Sequence, residues 1–311
     1  MFRSRNLAPE GSLLQQRAVG AYLGLAVGDA LGATVEFMTP GEIRAQYGVH
    51  DRLRGGGWLH LKPGAVTDDT TMALALGEAI LAEKRLDAEL AARAFDGWMR
   101  SKPVDIGNTV RRGLLHFRRT GVPLAPPSET DAGNGACMRL LPAVLATWDR
   151  QEEETRRAVL AQARVTHNNA LSDAGCLAVA GLLRLALHGI GLPEWIRGPL
   201  AALNAAFPVF RFRTERPTLN PSGYIVETLQ VVFQGVVDSD SFEEALITVV
   251  NRGGDADTTG AIAGMLAGAL YGVKAIPARW LDALDPNVRE ACRRQALGLI
   301  GIQGGILRDN H

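Results

Sequence analysis

The sequence predicts an all-α fold, and three observations carry that expectation. Most apolar residues recur at the helical period, no stretch alternates convincingly at the period of two that a half-buried strand needs, and two apolar segments carry a glycine at every fourth position. The spacing predicts helices over Leu13 to Leu31, Thr70 to Ala82, Asp87 to Met99, Gly107 to Phe117 and Ala136 to Trp148, then over Ala170 to Leu187, Ser222 to Val236, Phe242 to Val250 and Thr258 to Tyr271. The best strand candidate, Pro208 to Phe212, is short and isolated, so a sheet core has no material to build from.

Breaks fall at Gly55-Gly56-Gly57, between Gly121 and Gly133 with three prolines, and between Arg213 and Pro221. None is a long low-complexity linker and no solenoid-length period recurs. A single domain over residues 1–311 therefore fits better than the two that length alone favours. With 47% hydrophobic and 21% charged residues the chain can bury a sizeable core. Its 33 basic and 33 acidic residues cancel, which removes the electrostatic warrant for a nucleic-acid or anionic-membrane binder.

Cys137, Cys176 and Cys292 are odd in number and lack paired spacing, which speaks against a disulfide framework or zinc site and for a reducing cytoplasm. The opening MFRSRNLAPEGSLLQQR has charges where a signal peptide needs an apolar core. Thr258 to Val273, the longest uncharged small-apolar run, is too short for a bilayer core of roughly 30 Å and reads as a buried helix. No surface stripe argues for an obligate dimer, so a monomer is expected.

The glycines at 20, 24, 28 and 32 and at 260, 264, 268 and 272 form two bare stripes. Glycine inside a helix costs about 1 kcal/mol relative to alanine, so its repetition points to close backbone approach. Each stripe lies beside acidic residues. Thr67-Asp68-Asp69-Thr70 opens one helix, and Gly253-Gly254-Asp255-Ala256-Asp257-Thr258-Thr259 opens another. Either motif alone reads most simply as an N-cap. Capping needs only one such residue, however, and both motifs combine Asp pairs with Thr oxygens, the hard-ligand set that suits Mg²⁺ or Mn²⁺. Several carboxylates in one pocket repel unless protons or cations neutralise them, and a dinuclear metal site resolves that conflict.

A third segment, Ser101 to Arg112, stops one helix at Pro103 and starts the next near Gly107, offering Asp105 and Asn108 either to a polar ligand or to a capped turn. Gly133-Asn134-Gly135 and Thr166-His167-Asn168-Asn169 are polar preludes to apolar helices, where a lone histidine is ordinarily a hydrogen-bonded structural residue. Asp29 lies among apolar helical residues, whereas Glu36 follows the Gly32 break and is the freer candidate for chemistry.

The ordered set GLAVGDALGATVEF, VTDDTTMALAL, SKPVDIGNTVRRGL, GNGACMRLLP, VTHNNALSDAG and NRGGDADTTGAIAGMLAGALYG resembles the ADP-ribosylglycohydrolases over a motif-bearing core of about residues 19–273. The SKPVDIGNTVRRGL segment is most similar to the bacterial branch that reactivates dinitrogenase reductase. The resemblance implies an all-helical domain with two divalent metals, Mn²⁺ or Mg²⁺. It implies Thr67, Asp68, Asp69, Asp255, Asp257 and Thr258 as ligands, and Glu36, Asp105, Asn108, His167 and Tyr224, with Asn134 and Gly135, around ADP-ribose. The implied substrate is ADP-ribosylated dinitrogenase reductase. The implied control is a PII-type signalling protein and, through it, reversible association with an ammonium channel.

Hydrolysis of an N-glycosidic bond to arginine needs a proton for the leaving nitrogen and a water at the anomeric carbon, and either Glu36 or Asp105 can shuttle the proton. Three other readings remain: a general ADP-ribosylarginine hydrolase, a di-metal phosphohydrolase, and a non-catalytic ADP-ribose reader. The phosphohydrolase lacks the expected His-Asp clustering, and retention of both Asp pairs and Glu36 counts against the reader.

Overall fold

A computed structural model describes residues 11–214, 217–302 and 306–307, so the start of the chain read above for export signals lies outside the described residues. The fold is all-α. The helices are α1 (Leu13–Gly32), α2 (Pro40–Tyr47), α3 (Asp68–Glu83), α4 (Ala88–Arg100), α5 (Asn108–Thr120), α6 (Leu141–Leu145), α7 (Glu152–Ala163) and α8 (Ala170–Leu187). They continue as α9 (Leu192–Trp195), α10 (Ala201–Ala206), α11 (Ile225–Val237), α12 (Phe242–Val250), α13 (Ala256–Tyr271), α14 (Ala278–Ala283) and α15 (Pro286–Ile300). Among the described residues the only extended pairings are isolated bridges, Gly56 with Leu61 and Gly133 with Tyr224. One contiguous hydrophobic core runs from Ala18 to Ile306.

Two expectations need correction. Ala136 to Trp148 is buried almost throughout, which gives it a helix-like apolar pattern, yet only Leu141–Leu145 closes into helix. Pro142 removes a backbone donor, and the segment before it is held by turn bonds from Cys137 N and Met138 N to the Asn134 carbonyl. Pro208 to Phe212 is not a strand. Pro208–Phe210 forms a 3₁₀ turn closed by Phe210 N donating to the Phe207 carbonyl. The helices that periodicity did not reveal are short, or, like α7 and α15, carry charges around a narrow apolar stripe. In α15 only Cys292, Gln295, Ala296 and Leu299 are buried, but they seat it against α1, α3 and α6, so the core extends beyond the motif-bearing region. Helix α8 has the length and apolar composition to cross a bilayer, but it is a core helix packed against α7, α11 and α13.

The glycine stripes face each other. Helices α1 and α13 run antiparallel, and a Cβ on Gly20, Gly24 or Gly28 would overlap the backbone carbonyl of Gly268, Gly264 or Gly260 respectively. Gly32 meets Ala256 in the same way. Gly272 departs from the stripe, ending α13 at a positive φ of 78°. The consequence for function is positional: the C-terminus of α1 and the N-terminus of α13 are locked side by side.

Candidate active site

Asp29, in the last turns of α1, is fully buried and turns toward the start of α3. Its Oδ1 accepts from Thr67 N at 2.9 Å, and its Oδ2 accepts from Thr70 N at 3.1 Å and from the Thr70 hydroxyl at 2.5 Å. A charged acceptor thus takes the orphan amides that Thr67 and the following Asp pair would otherwise cap. Thr67 occupies the N-cap position of α3 without a capping bond of its own, and Asp255 likewise precedes α13 without one. The capping reading fails at both motifs, and their side chains are free to meet.

They do meet. The Thr67 hydroxyl lies 3.2 Å from Asp69 Oδ2 and 3.4 Å from Asp257 Oδ2, and the Thr258 hydroxyl lies 3.5 Å from Asp69 Oδ2. Glu36, Asp255 and Asp257 each bring a carboxylate oxygen within 4.8 Å of the others. The loop after α1 is tied to the loop before α13 by Phe37 N donating to the Gly254 carbonyl at 2.7 Å and Gly254 N donating to the Met38 carbonyl at 2.9 Å. Gly254 needs no side chain here: its φ is 66°, and a Cβ would strike the Pro221 carbonyl. Trp58 Nε1 donates to Glu36 Oε2 at 2.6 Å, and Asn134 Nδ2 donates to Asp255 Oδ2 at 2.6 Å.

The electrostatics are those of a crowded acidic pocket. Burial, followed by the Asp105 and Asp29 charges, lifts Asp68 to about 7. Burial lifts Glu36 to about 8 against the opposing Trp58 hydrogen bond, with the Asp255, Asp105 and Asp68 charges adding to the rise. Burial drives Asp69 and Asp257 well above the usual carboxylate range, and neighbouring carboxylates push them further. Asp69 Oδ1 is buried with no hydrogen-bond partner among the described residues. An all-oxygen donor set with an orphaned carboxylate oxygen and several repelling charges fits hard divalent cations.

The remaining candidates differ in depth and in what they touch. Asp105 is half-buried with Oδ1 accepting from Ile106 N at 2.7 Å, while Gly107 precedes α5, so Asp105 is not that helix's cap. Its charge reaches Asp68 and Glu36. Asn108 is exposed at the first residue of α5, and Tyr224, more than a third exposed, is bridged through its backbone to Gly133. No described hydrogen bond links Asn108 or the Tyr224 ring to the carboxylates. His167 is buried, with its ring against Gly133 and Gly135. A cavity of about 1050 Å³ between α8 and α10 shares no residue with this cluster.

Sequence reasoning passed over Asp29 and Trp58. Asp29 had a signal, a carboxylate inside an otherwise apolar helix. Trp58 had none that local pattern could supply.

An all-helical domain with two acidic helix starts joined across a glycine-packed pair belongs, on comparison, to the ADP-ribosylglycohydrolase family, whose model matches residues 10–304. The chain is 50% identical over 294 residues to the ADP-ribosyl-[dinitrogen reductase] glycohydrolase of Rhodospirillum rubrum, covering 94% of this chain and 99% of that one. It is 34% identical over 292 residues to the ADP-ribosylarginine hydrolase Tri1 of Pseudomonas putida, covering 90% of this chain and 76% of the relative. A solved structure described as an ADP-ribosylglycohydrolase-related protein complex superposes with a TM-score of 0.81 at 38% identity, covering 93% of this chain and 98% of that one.

Proposed function

We propose that this protein is a metal-dependent hydrolase that removes ADP-ribose from a modified arginine of dinitrogenase reductase. The observation that carries the reading is the 50% identity, over almost all of both chains, to a relative named for that reaction. The acidic cluster supplies the matching chemistry. Thr67, Asp68, Asp69, Asp255, Asp257 and Thr258 are the proposed holders of two divalent ions, Mn²⁺ or Mg²⁺. When bound, such ions supply Lewis-acid contacts to ribose hydroxyls and lower the pKa of a water.

The protein's own groups then divide the proton work. The bond between the anomeric carbon and the guanidinium nitrogen breaks, water's oxygen joins the carbon, and one proton must reach the departing nitrogen. Asp105 stands on the rim with one oxygen already tied to Ile106 N, which leaves the other for the guanidinium as a charge-assisted partner. Glu36 sits deeper, oriented by Trp58, and would take the water's proton once bound cations offset the neighbouring carboxylates, while Asp105 would return one to the departing nitrogen. Asn134 holds Asp255 in place, while Asn108, His167, Gly135 and Tyr224 border the space for ADP-ribose. The whole chain acts as one domain, and residues 19–273 bear the motifs. We place it in the cytoplasm as a monomer, controlled through a PII-type protein and an associated ammonium channel.

Cleavage rates on modified dinitrogenase reductase, free ADP-ribosylarginine and an ADP-ribosylserine peptide, with and without Mn²⁺, test the reading. Metal-dependent turnover, fastest on the modified protein and slowest on the serine peptide, is expected. Faster cleavage of the serine linkage overturns the arginine assignment, and equal rates on both arginine substrates overturn the protein preference.

A further inference from the structure

Behind His167 lies a buried cation to which, among the described residues, no carboxylate is bonded. Arg139, fully buried in the turn before α6, donates through Nε to Gln162 Oε1 at 3.0 Å. Its Nη2 donates to the Gln162 carbonyl at 3.0 Å and to the Thr166 hydroxyl oxygen at 2.8 Å, and its guanidinium lies 4.1 Å from the centre of the Phe95 ring. A guanidinium only donates, so the Thr166 oxygen is an acceptor in that contact. The other neighbour of this hydroxyl is His167 Nδ1 at 2.8 Å.

Proton accounting decides the tautomer. Thr166 is buried, and no other acceptor for its hydroxyl hydrogen is found among the described residues. A buried donor is ordinarily paired, so the hydrogen points at Nδ1. The opposite tautomer would fill both lone pairs of that oxygen and strand the hydroxyl hydrogen. Nδ1 is therefore an acceptor, and a neutral imidazole then carries its proton on Nε2. The ring is neutral because burial, aided by the Arg139 and Arg112 charges, holds it down at about 3.

The Nε2 edge is kept clear. Among the described residues this nitrogen has no hydrogen-bond partner, although the residue is buried. A Cβ on Gly133 would sit 2.9 Å from Nε2, and one on Gly135 would sit 2.8 Å from Cε1. The intervening Asn134 reaches Asp255. We propose that Arg139 is a positioning residue which, through Thr166, locks His167 as an Nε2–H donor facing the gap between Gly133 and Gly135, where it holds a phosphate or ribose oxygen of ADP-ribose. The acceptor named here rests on the functional reading above; the lock itself does not. A nitrogen that already carries its proton cannot act as a general base, so this histidine binds and does not shuttle.

The test uses ¹⁵N shifts of the His167 ring in the full chain, together with ADP-ribose affinity for Thr166→Val and Thr166→Ser. Arg139→Gln would leave a hole in the core, whereas the threonine variants remove or restore only the hydroxyl. The unmutated protein is expected to show Nε2–H, Thr166→Val to lose that preference and bind ADP-ribose about tenfold more weakly, and Thr166→Ser to recover both. An Nδ1–H ring in the unmutated protein, or a Thr166→Val variant with unchanged tautomer and affinity, overturns the proposal. Absence of ADP-ribose binding by the unmutated protein overturns the functional reading and the assigned acceptor, a result distinct from the tautomer.

Discussion

Asp68 and Asp255 come from distant parts of the chain, and among the described residues neither forms an ion pair that would offset its burial or crowding. Replacing either with alanine is expected to abolish turnover and lower metal content while leaving far-ultraviolet circular dichroism unchanged. Unchanged metal stoichiometry in both variants would sink the two-ion assignment. Asp105→Asn is expected to keep ADP-ribose affinity and slow cleavage by about 100- to 10,000-fold, the usual range for losing a proton-transfer group. Near-normal turnover at saturating metal would return that role to Glu36. The carboxylates of the site were legible because paired Asp and Thr at two helix starts exceed what capping requires. Asp29 was not, since its role is to satisfy the Thr67 and Thr70 amides, and that depends on which helix end lies opposite.

At the scale of elements, the antiparallel contact of α1 with α13 sets the distance between the two acidic motifs. Gly24→Ala places a Cβ into the Gly264 carbonyl, and neither backbone can yield without moving a helix. A loss of about 1–3 kcal/mol is expected from overpacking, with a parallel loss of metal affinity as the two motifs separate. Gly97 is the contrasting case, a glycine inside α4 with open space around its missing Cβ. Gly97→Ala is expected to stabilise by about 0.5–1 kcal/mol without affecting metal binding. Denaturant titration of both variants checks the pair, and equal effects would refute the role of close approach. The repetition of glycine at every fourth position already pointed to such an approach. What each stripe touches was decided by the pairing of helices distant in sequence.

For the whole molecule, the buried carboxylates link stability to pH and to metal. Asp29 is raised to about 6, Asp68 to about 7 and Glu36 to about 8, whereas in an unfolded chain such groups titrate near 4. Between those values the folded, metal-free protein binds more protons than the unfolded chain. Its contribution from these groups is therefore complete below about pH 4 and is lost as pH rises through 6 to 8. Divalent ions compete with those protons and bind the folded state, so Mn²⁺ is expected to raise the melting temperature more at pH 8 than at pH 5.5. Melting curves of chelator-treated protein at both pH values, with and without Mn²⁺, check this; a larger metal effect at pH 5.5 would contradict it. By itself the sequence determined the helical class, the two acidic motifs and their hard-oxygen chemistry, because periodicity and donor type are local properties. Only the tertiary structure decided that the glycine stripes interlock, that Asp29 replaces the expected caps and that Arg139 stands behind His167. Each of those outcomes depends on which distant backbone fills the space beside a residue, and no local pattern encodes that neighbour.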